Sequence, residues 1–198
     1  MRIEIYAPGG RLDGDVVVLP PGLVGARAPE ALEALRAYAG EGGRLLGLGE
    51  GAACLCAAAL LPGAVEADEA TAPPTHVRVE GRATAFTWAI PAGRILAVPP
   101  IRARARFVAP DAEIEELEAR GRIVLRYCDA AGGVSRPGGG AHAATVAGVS
   151  DESGRVFGLV APSPVDLDTE LGRQLVTCLR EAPRAGVAAA ARPIDASS

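Results

Sequence analysis

The sequence predicts one α/β domain built on an open, mostly parallel sheet flanked by helices, with an added antiparallel β segment. Three observations predict it. "DVVVLP" and "RLLGLG" are short unbroken apolar runs, the pattern of strands covered on both faces. Helical patterns follow or separate those runs, as a sheet wound with helices requires. A middle region of short β-rich pieces broken by Gly and Pro reads instead as antiparallel strands.

Taken in order, "MRIEIYA" alternates and reads as a strand, and "DVVVLP" as the second. "APEALEALRAYAG" is a helix with Leu32, Leu35 and Tyr38 in register and Gly40 as its stop. The strand "RLLGLG" leads into a helix expected over Ala52 to Leu61, ended by Pro62-Gly63. "THVRVEG", "TAFTWAI", "GRILAVPPI" and "RARARFV" are the β-rich pieces. "PDAEIEELEARG" is an acidic helix with Ile114 and Leu117 inward, and "RIVLRYC" is a strand. "AGGVSRPGGGAHA" is a glycine-rich loop, and "VAGVSDESGRVFGLVAP" is a hairpin turning at Ser153-Gly154. "DLDTELGRQLVTCLREA" closes the domain as a helix with Leu171, Leu175 and Leu179 on one face and acids near its N-terminus, where the helix dipole favours them. The domain is expected to span residues 1–182, with 183–198 as a flexible tail.

Composition narrows the function classes. A chain of 198 residues suits one domain with a sizeable core. The net charge of −4 argues against nucleic acid as a partner. No apolar run reaches the length of a membrane span, and the charged start is unlike a secretion signal, so a cytoplasmic protein is expected. The chain has no lysine, which excludes a Schiff base and a lysine-bearing phosphate loop. Cys54, Cys56, Cys128 and Cys178 lack the spacing of redox or zinc sites and read as small buried hydrophobes. With His76 and His142 isolated, no metal and no cofactor is expected.

The segment "RLLGLGEGAACLCAAALLPGAV" raises the functional question. It runs from a strand through a glycine-rich turn into a small-residue helix, the way many enzymes mount a nucleophile, yet Gly49 and Glu50 stand where a reactive side chain belongs.

From Asp15 to about Leu175 the chain resembles the class I glutamine amidotransferases, in particular the PurQ-type glutaminase subunits of phosphoribosylformylglycinamidine synthase. "DVVVLPPGL" resembles the strand and oxyanion turn D-x-V-x-x-P-G-G-F. "ALLPGAV", "VRVEGRATAFT", "GRIVLRYCD", "VAGVSDESGRVFGL" and "PSP" follow in family order. The resemblance implies a flavodoxin-like class I glutaminase fold, here shortened at the N-terminus. Either the first strand is kept and the next helix and strand are lost, or the chain begins at the second strand. In both cases one sheet face is left less covered and association is favoured.

The resemblance also implies a site, and this sequence departs from it at each chemical position. The family's elbow reads G-I-C-N-G-F-Q, with Cys as nucleophile at a helix N-terminus. Here Gly49 replaces the Cys, Glu50 and Gly51 follow, and Ala53 replaces the Gln. Cys54 lies beyond the elbow and does not substitute. The family's M-P-H-P-E supplies a His base and an orienting Glu, whereas this chain has "APSPVD", with Ser163 and Val165 at those positions. In the oxyanion turn Pro21, beside Gly22, replaces a Gly and brings no N–H. A fourth departure is "PPIRARARF", where the family has a loop near the synthetase contact. Arg102, Arg104 and Arg106 would share one face if extended, either as a docking patch for an acidic partner or anion, or as a solvated edge strand.

No catalytic residue is therefore expected. The leading expectation is an inactive PurQ-like homologue, a structural or regulatory subunit partnered by a synthetase-type protein or an active paralogue, with a homo-oligomer also open. The alternatives are a binder of an anionic metabolite in the degenerate glutamine pocket and a residual glutaminase.

Overall fold

A computed structural model of the chain describes residues 1–22, 27–67, 76–82, 84–98, 105–134, 145–160 and 169–182. Its elements in order are β1 (Ile3–Ile5), β2 (Val16–Leu19), α1 (Pro29–Gly40), β3 (Arg44–Leu48), α2 (Glu50–Ala57), β4 (Ala64–Ala67), β5 (His76–Val79), β6 (Ile95–Ala97), β7 (Ala105–Val108), α3 (Asp111–Ala119), β8 (Ile123–Cys128), β9 (Val146–Ser150), β10 (Val156–Leu159) and α4 (Glu170–Glu181). Eight strands form the main sheet in the order β1-β2-β3-β10-β9-β8-β5-β6, and β4 pairs with β7 in a small second sheet.

The sheet has two halves. β1, β2, β3 and β10 run parallel to one another, and β10, β9, β8, β5 and β6 pair antiparallel. This is the expected α/β sheet with its antiparallel addition. The apolar runs explain the first half: all four residues of β2 and the last four of β3 are buried, as strands between two layers must be. On one face Val16, Val18, Leu46 and Leu48 pack with Leu171, Leu175 and Leu179 of α4. On the other, Val17, Leu19 and Leu45 meet Leu35 of α1, Leu55 of α2 and Ile114 of α3. The hairpin from β9 to β10 turns through Asp151, whose carboxylate accepts N–H groups of Ser153 and Val156 at 3.1 and 2.9 Å. That Asx geometry, with Gly154 at φ 68°, fixes the turn where the sequence placed it.

Some expectations need correction. "TAFTWAI" does not form a strand. Its residues, Thr84 to Ile90, make successive turns in which Thr84, Ala85, Phe86, Thr87 and Ile90 are buried, with Phe86 stacked on Phe157 at 5.5 Å between ring centroids. The β-rich composition that suggests a strand belongs here to a tightly coiled plug packed against α4, where Trp88 Nε1–H donates to the Cys178 carbonyl at 2.9 Å. The helix expected from Ala52 to Leu61 runs from Glu50 to Ala57. Leu32 in α1 is half-buried; Ala31, Leu35 and Tyr38 make the buried face. β4 has no counterpart in the sequence reading.

At the N-terminus β1 pairs parallel with β2, and the ten residues between them contain no helix. One strand precedes β2, and no helix crosses over between them. The expected tail, 183–198, lies outside the described residues.

Candidate functional site

In a sheet of this kind, binding sites form beyond the carboxyl ends of the parallel strands. Three such ends meet here. β2 runs out at Leu19 into the Pro21–Gly22 turn, β3 into Gly49, and β10 into Val160.

Gly49 is the hinge of the site. Its backbone stands at φ 54°, ψ −114°, a combination open to glycine and strained for other residues, and it caps the N-terminus of α2. The turn is anchored from two sides: the Gly49 N–H donates to the Leu159 carbonyl of β10 at 2.9 Å, and the Gly49 carbonyl accepts the Ala53 N–H at 3.1 Å. Among the described residues a Cβ at Gly49 would meet Pro21 Cβ, at 3.6 Å, an ordinary contact. Gly47, Gly51 and Gly158 are different. A Cβ on Gly51 would lie 2.1 Å from the Leu19 carbonyl oxygen, on Gly47 2.7 Å from the Ala52 backbone, and on Gly158 2.6 Å from Leu61 Cδ1. These glycines let α2 lie close against β2, β3 and β10, with Ala52 and Ala53 buried in the contact. The G-x-G-x-G spacing of residues 47 to 51 thus combines one conformational and two packing requirements.

Glu50 is the first helical residue. Its carboxylate swings back across the mouth of the site, and Oε2 accepts the Gly22 N–H at 3.1 Å. A negative group here is favoured by the helix N-terminus. The elbow and the turn after β2 are therefore joined by a carboxylate of the chain itself.

The thiols nearest the elbow are poor nucleophiles. Cys54 is buried one helical turn beyond Glu50, and burial raises its pKa, with Arg27 opposing the shift. Cys56 is pushed up to about 11 by burial, and its Sγ–H donates to the Pro62 carbonyl at 3.4 Å. Both stay protonated at neutral pH.

Of the positions singled out in the sequence, the structure brings together Pro21, Gly22, Gly49, Glu50, Gly51 and Ala53. Ser163 and Val165 lie outside the described residues, as do Arg102 and Arg104. Arg106 lies in β7 and pairs with Glu66 of β4 at 3.3 Å. Two features were not foreseen. The Leu159 carbonyl that holds Gly49 belongs to the backbone, which leaves no residue-type signal. Arg126, inside the apolar run of β8, is buried and donates to Thr145 and Glu118 beside a cavity of about 280 Å³ that Glu80 also lines. Its charge is met by Glu118, as a buried cation requires. Among the described residues no group of three or more His, Cys, Asp and Glu side chains could hold a metal ion, and no helix is long and apolar enough to cross a membrane.

Comparison with known proteins gives a consistent set of relatives. The chain is 36% identical over 168 residues to the phosphoribosylformylglycinamidine synthase subunit PurQ of Nitrobacter winogradskyi, covering 81% of this chain and 69% of that protein. It is 33% identical over 166 residues to the PurQ subunit of Salinibacter ruber, covering 81% and 68%. Among solved structures, a chain of PurLQS from Thermotoga maritima superposes with a TM-score of 0.66 at 21% identity, covering 91% of this chain and 98% of that one. A GMP synthase component of Thermoplasma acidophilum superposes at 0.51 and 16% identity, covering 84% and 71%. No family model matches the chain.

Proposed function

This chain belongs to the PurQ family of phosphoribosylformylglycinamidine synthase subunits, and on that premise we propose that it is a non-catalytic member with a structural or regulatory role beside a synthetase-type protein. The observation that carries the proposal is the elbow. Its apex is a glycine, which offers a hydrogen atom where amide hydrolysis by this family's chemistry needs a thiol.

Two further features support the reading. Transition-state stabilisation needs N–H donors aimed at the place where negative charge develops. Here the Gly22 N–H is already given to Glu50, whose carboxylate brings negative charge to the same place. Of the described thiols on α2, Cys54 is buried and Cys56 half-buried, and both stay protonated, so neither takes over the role. Meanwhile the elbow retains its anchoring hydrogen bonds and its close glycine packing. A scaffold kept in shape while its chemistry is absent fits a role in assembly. The partner follows from the relatives' own description as synthase subunits and from the PurLQS assembly that supplies the superposed chain.

The test is glutamate release from glutamine, measured with the chain alone and mixed with a phosphoribosylformylglycinamidine synthetase subunit. Release at the no-protein level, together with co-sedimentation of the two proteins, is expected. Turnover above that level overturns the loss of catalysis. A chain that sediments independently of the synthetase overturns the subunit role.

A further inference from the structure

We propose that β1 is a self-complementary edge through which two copies of this chain pair antiparallel about a two-fold axis at Ile3.

Among the described residues β1 stands at the end of the sheet order, with β2 as its one neighbour. The ladder between them uses the even residues: the Arg2 carbonyl accepts from Val16 at 3.3 Å, and the Tyr6 N–H donates to the Val18 carbonyl at 2.8 Å. Backbone groups alternate sides along a strand, so Ile3 and Ile5 direct their N–H and C=O groups away from the sheet. Such an edge invites another strand unless charge, proline or a covering segment blocks it. The strand holds no proline, and its one charged residue, Glu4, turns its carboxylate to the Asp13 and Gly14 N–H groups.

The side chains point the same way. Among the described residues the exposed large hydrophobics are Met1, Ile3 and Ile5, with Ile3 36% and Ile5 52% exposed, and all belong to one alternating stretch. The isoleucines lie on the face of Val18 and Leu46, where α4 leaves an apolar groove beside the edge strand. The other face carries Arg2 and Glu4.

A two-fold axis at Ile3 makes this pattern complementary to itself. It sets Ile3 opposite Ile3 of the second copy, Met1 opposite Ile5, and Arg2 opposite Glu4, each of the last two pairs occurring twice. The odd residues, whose backbone groups are outward, become the hydrogen-bonded pairs. The charged residues fall in the non-hydrogen-bonded pairs, where side chains approach most closely. Any antiparallel register with its axis at Glu4 sets two carboxylates against each other. Arg2 already meets Asp13 at 2.5 Å, and Glu4 Oε2 accepts the Asp13 and Gly14 N–H groups at 3.2 and 2.9 Å. A guanidinium has five donors and a carboxylate about four acceptor sites, so the cross-copy pair adds to these contacts.

Sedimentation equilibrium of the 198-residue chain and its variants tests the proposal. The wild type is expected to show a monomer–dimer equilibrium in the micromolar range. Ile3→Lys, which sets two ammonium groups face to face at the axis, is expected to weaken it at least about tenfold while the monomer keeps the wild-type far-ultraviolet circular dichroism. A mixture of Arg2→Cys and Glu4→Cys variants reads the register directly. Non-hydrogen-bonded antiparallel residues have Cα atoms ~4.5 Å apart, within disulfide reach, so mild oxidation should join one variant to the other and leave each variant alone, and wild type, uncross-linked. A wild type that stays monomeric at hundreds of micromolar, a dimer that survives Ile3→Lys, or a mixture that gives no mixed disulfide overturns the proposal. Association with a synthetase subunit by a chain that stays monomeric alone overturns this inference and leaves the proposed subunit role standing.

Discussion

At the scale of single residues, two glycines two positions apart make opposite demands. Gly49 needs its backbone conformation, while among the described residues a Cβ there would meet Pro21 Cβ at 3.6 Å, an ordinary contact. Gly51 needs the space itself, because a Cβ would lie 2.1 Å from the Leu19 carbonyl oxygen. Gly49→Ala should therefore cost about 1–2 kcal/mol of backbone strain. Gly51→Ala should cost at least about 3 kcal/mol, since α2 must lift from β2 to admit a methyl group. Urea denaturation of the two variants checks the order, and equal losses would show that the elbow is held by something other than this close approach. The sequence made Gly49 legible because a glycine replaces a reactive residue at a recognisable elbow. It left Glu50 illegible. Its bond to Gly22 depends on how the turn after β2 meets the start of α2, a contact between residues 28 positions apart.

At the scale of elements, the parallel half of the sheet was readable because burial on both faces leaves an unbroken apolar run in β2 and β3. The plug from Thr84 to Ile90 was not, because a short piece rich in aromatic and β-branched residues can be a buried coil as readily as a strand. The C-terminus of α2 shows a different failure. No glycine marks the stop, yet Ala59 takes φ 55°, the Ala59 N–H donates to the Cys56 carbonyl at 2.8 Å, and Leu60 N–H donates to Leu55 at 3.0 Å. These are the two bonds of a Schellman cap, with alanine in the left-handed position usually given to glycine. Packing decides here: Leu61 must enter the core beside Leu55, so the chain turns before the Pro62-Gly63 signal. Ala59→Gly should therefore stabilise the protein, by about 0.5–1 kcal/mol, because relief of left-handed strain exceeds the added freedom of the unfolded chain. A rise in the urea midpoint at constant slope is the expected result. A fall would mean that the strain at Ala59 is smaller than its geometry implies.

At the scale of the whole molecule, the absence of lysine has a consequence for stability at high pH. Arginine keeps its charge there, so the groups that titrate between neutrality and about pH 11 are chiefly thiols and tyrosines. Burial raises the pKa of all four cysteines and all three tyrosines, Tyr127 most strongly among the phenols. A raised acid holds its proton in the folded state after the unfolded chain has released it. Its contribution to stability is complete below the unfolded pKa and is lost as pH rises through the folded one. For Cys56 that window runs from its ordinary 9.0 to about 11, a loss of about 2–3 kcal/mol. The protein should thus hold a steady urea midpoint to about pH 9 and lose stability steeply above it. Cys56→Ala removes one of the groups responsible, so the variant should lose less stability than wild type between about pH 9 and pH 11, even if it starts lower through the cavity it creates. Parallel alkaline slopes for the two proteins would assign the loss to the tyrosines and the other thiols, and would mean that Cys56 is more accessible to water than its place at the end of α2 implies.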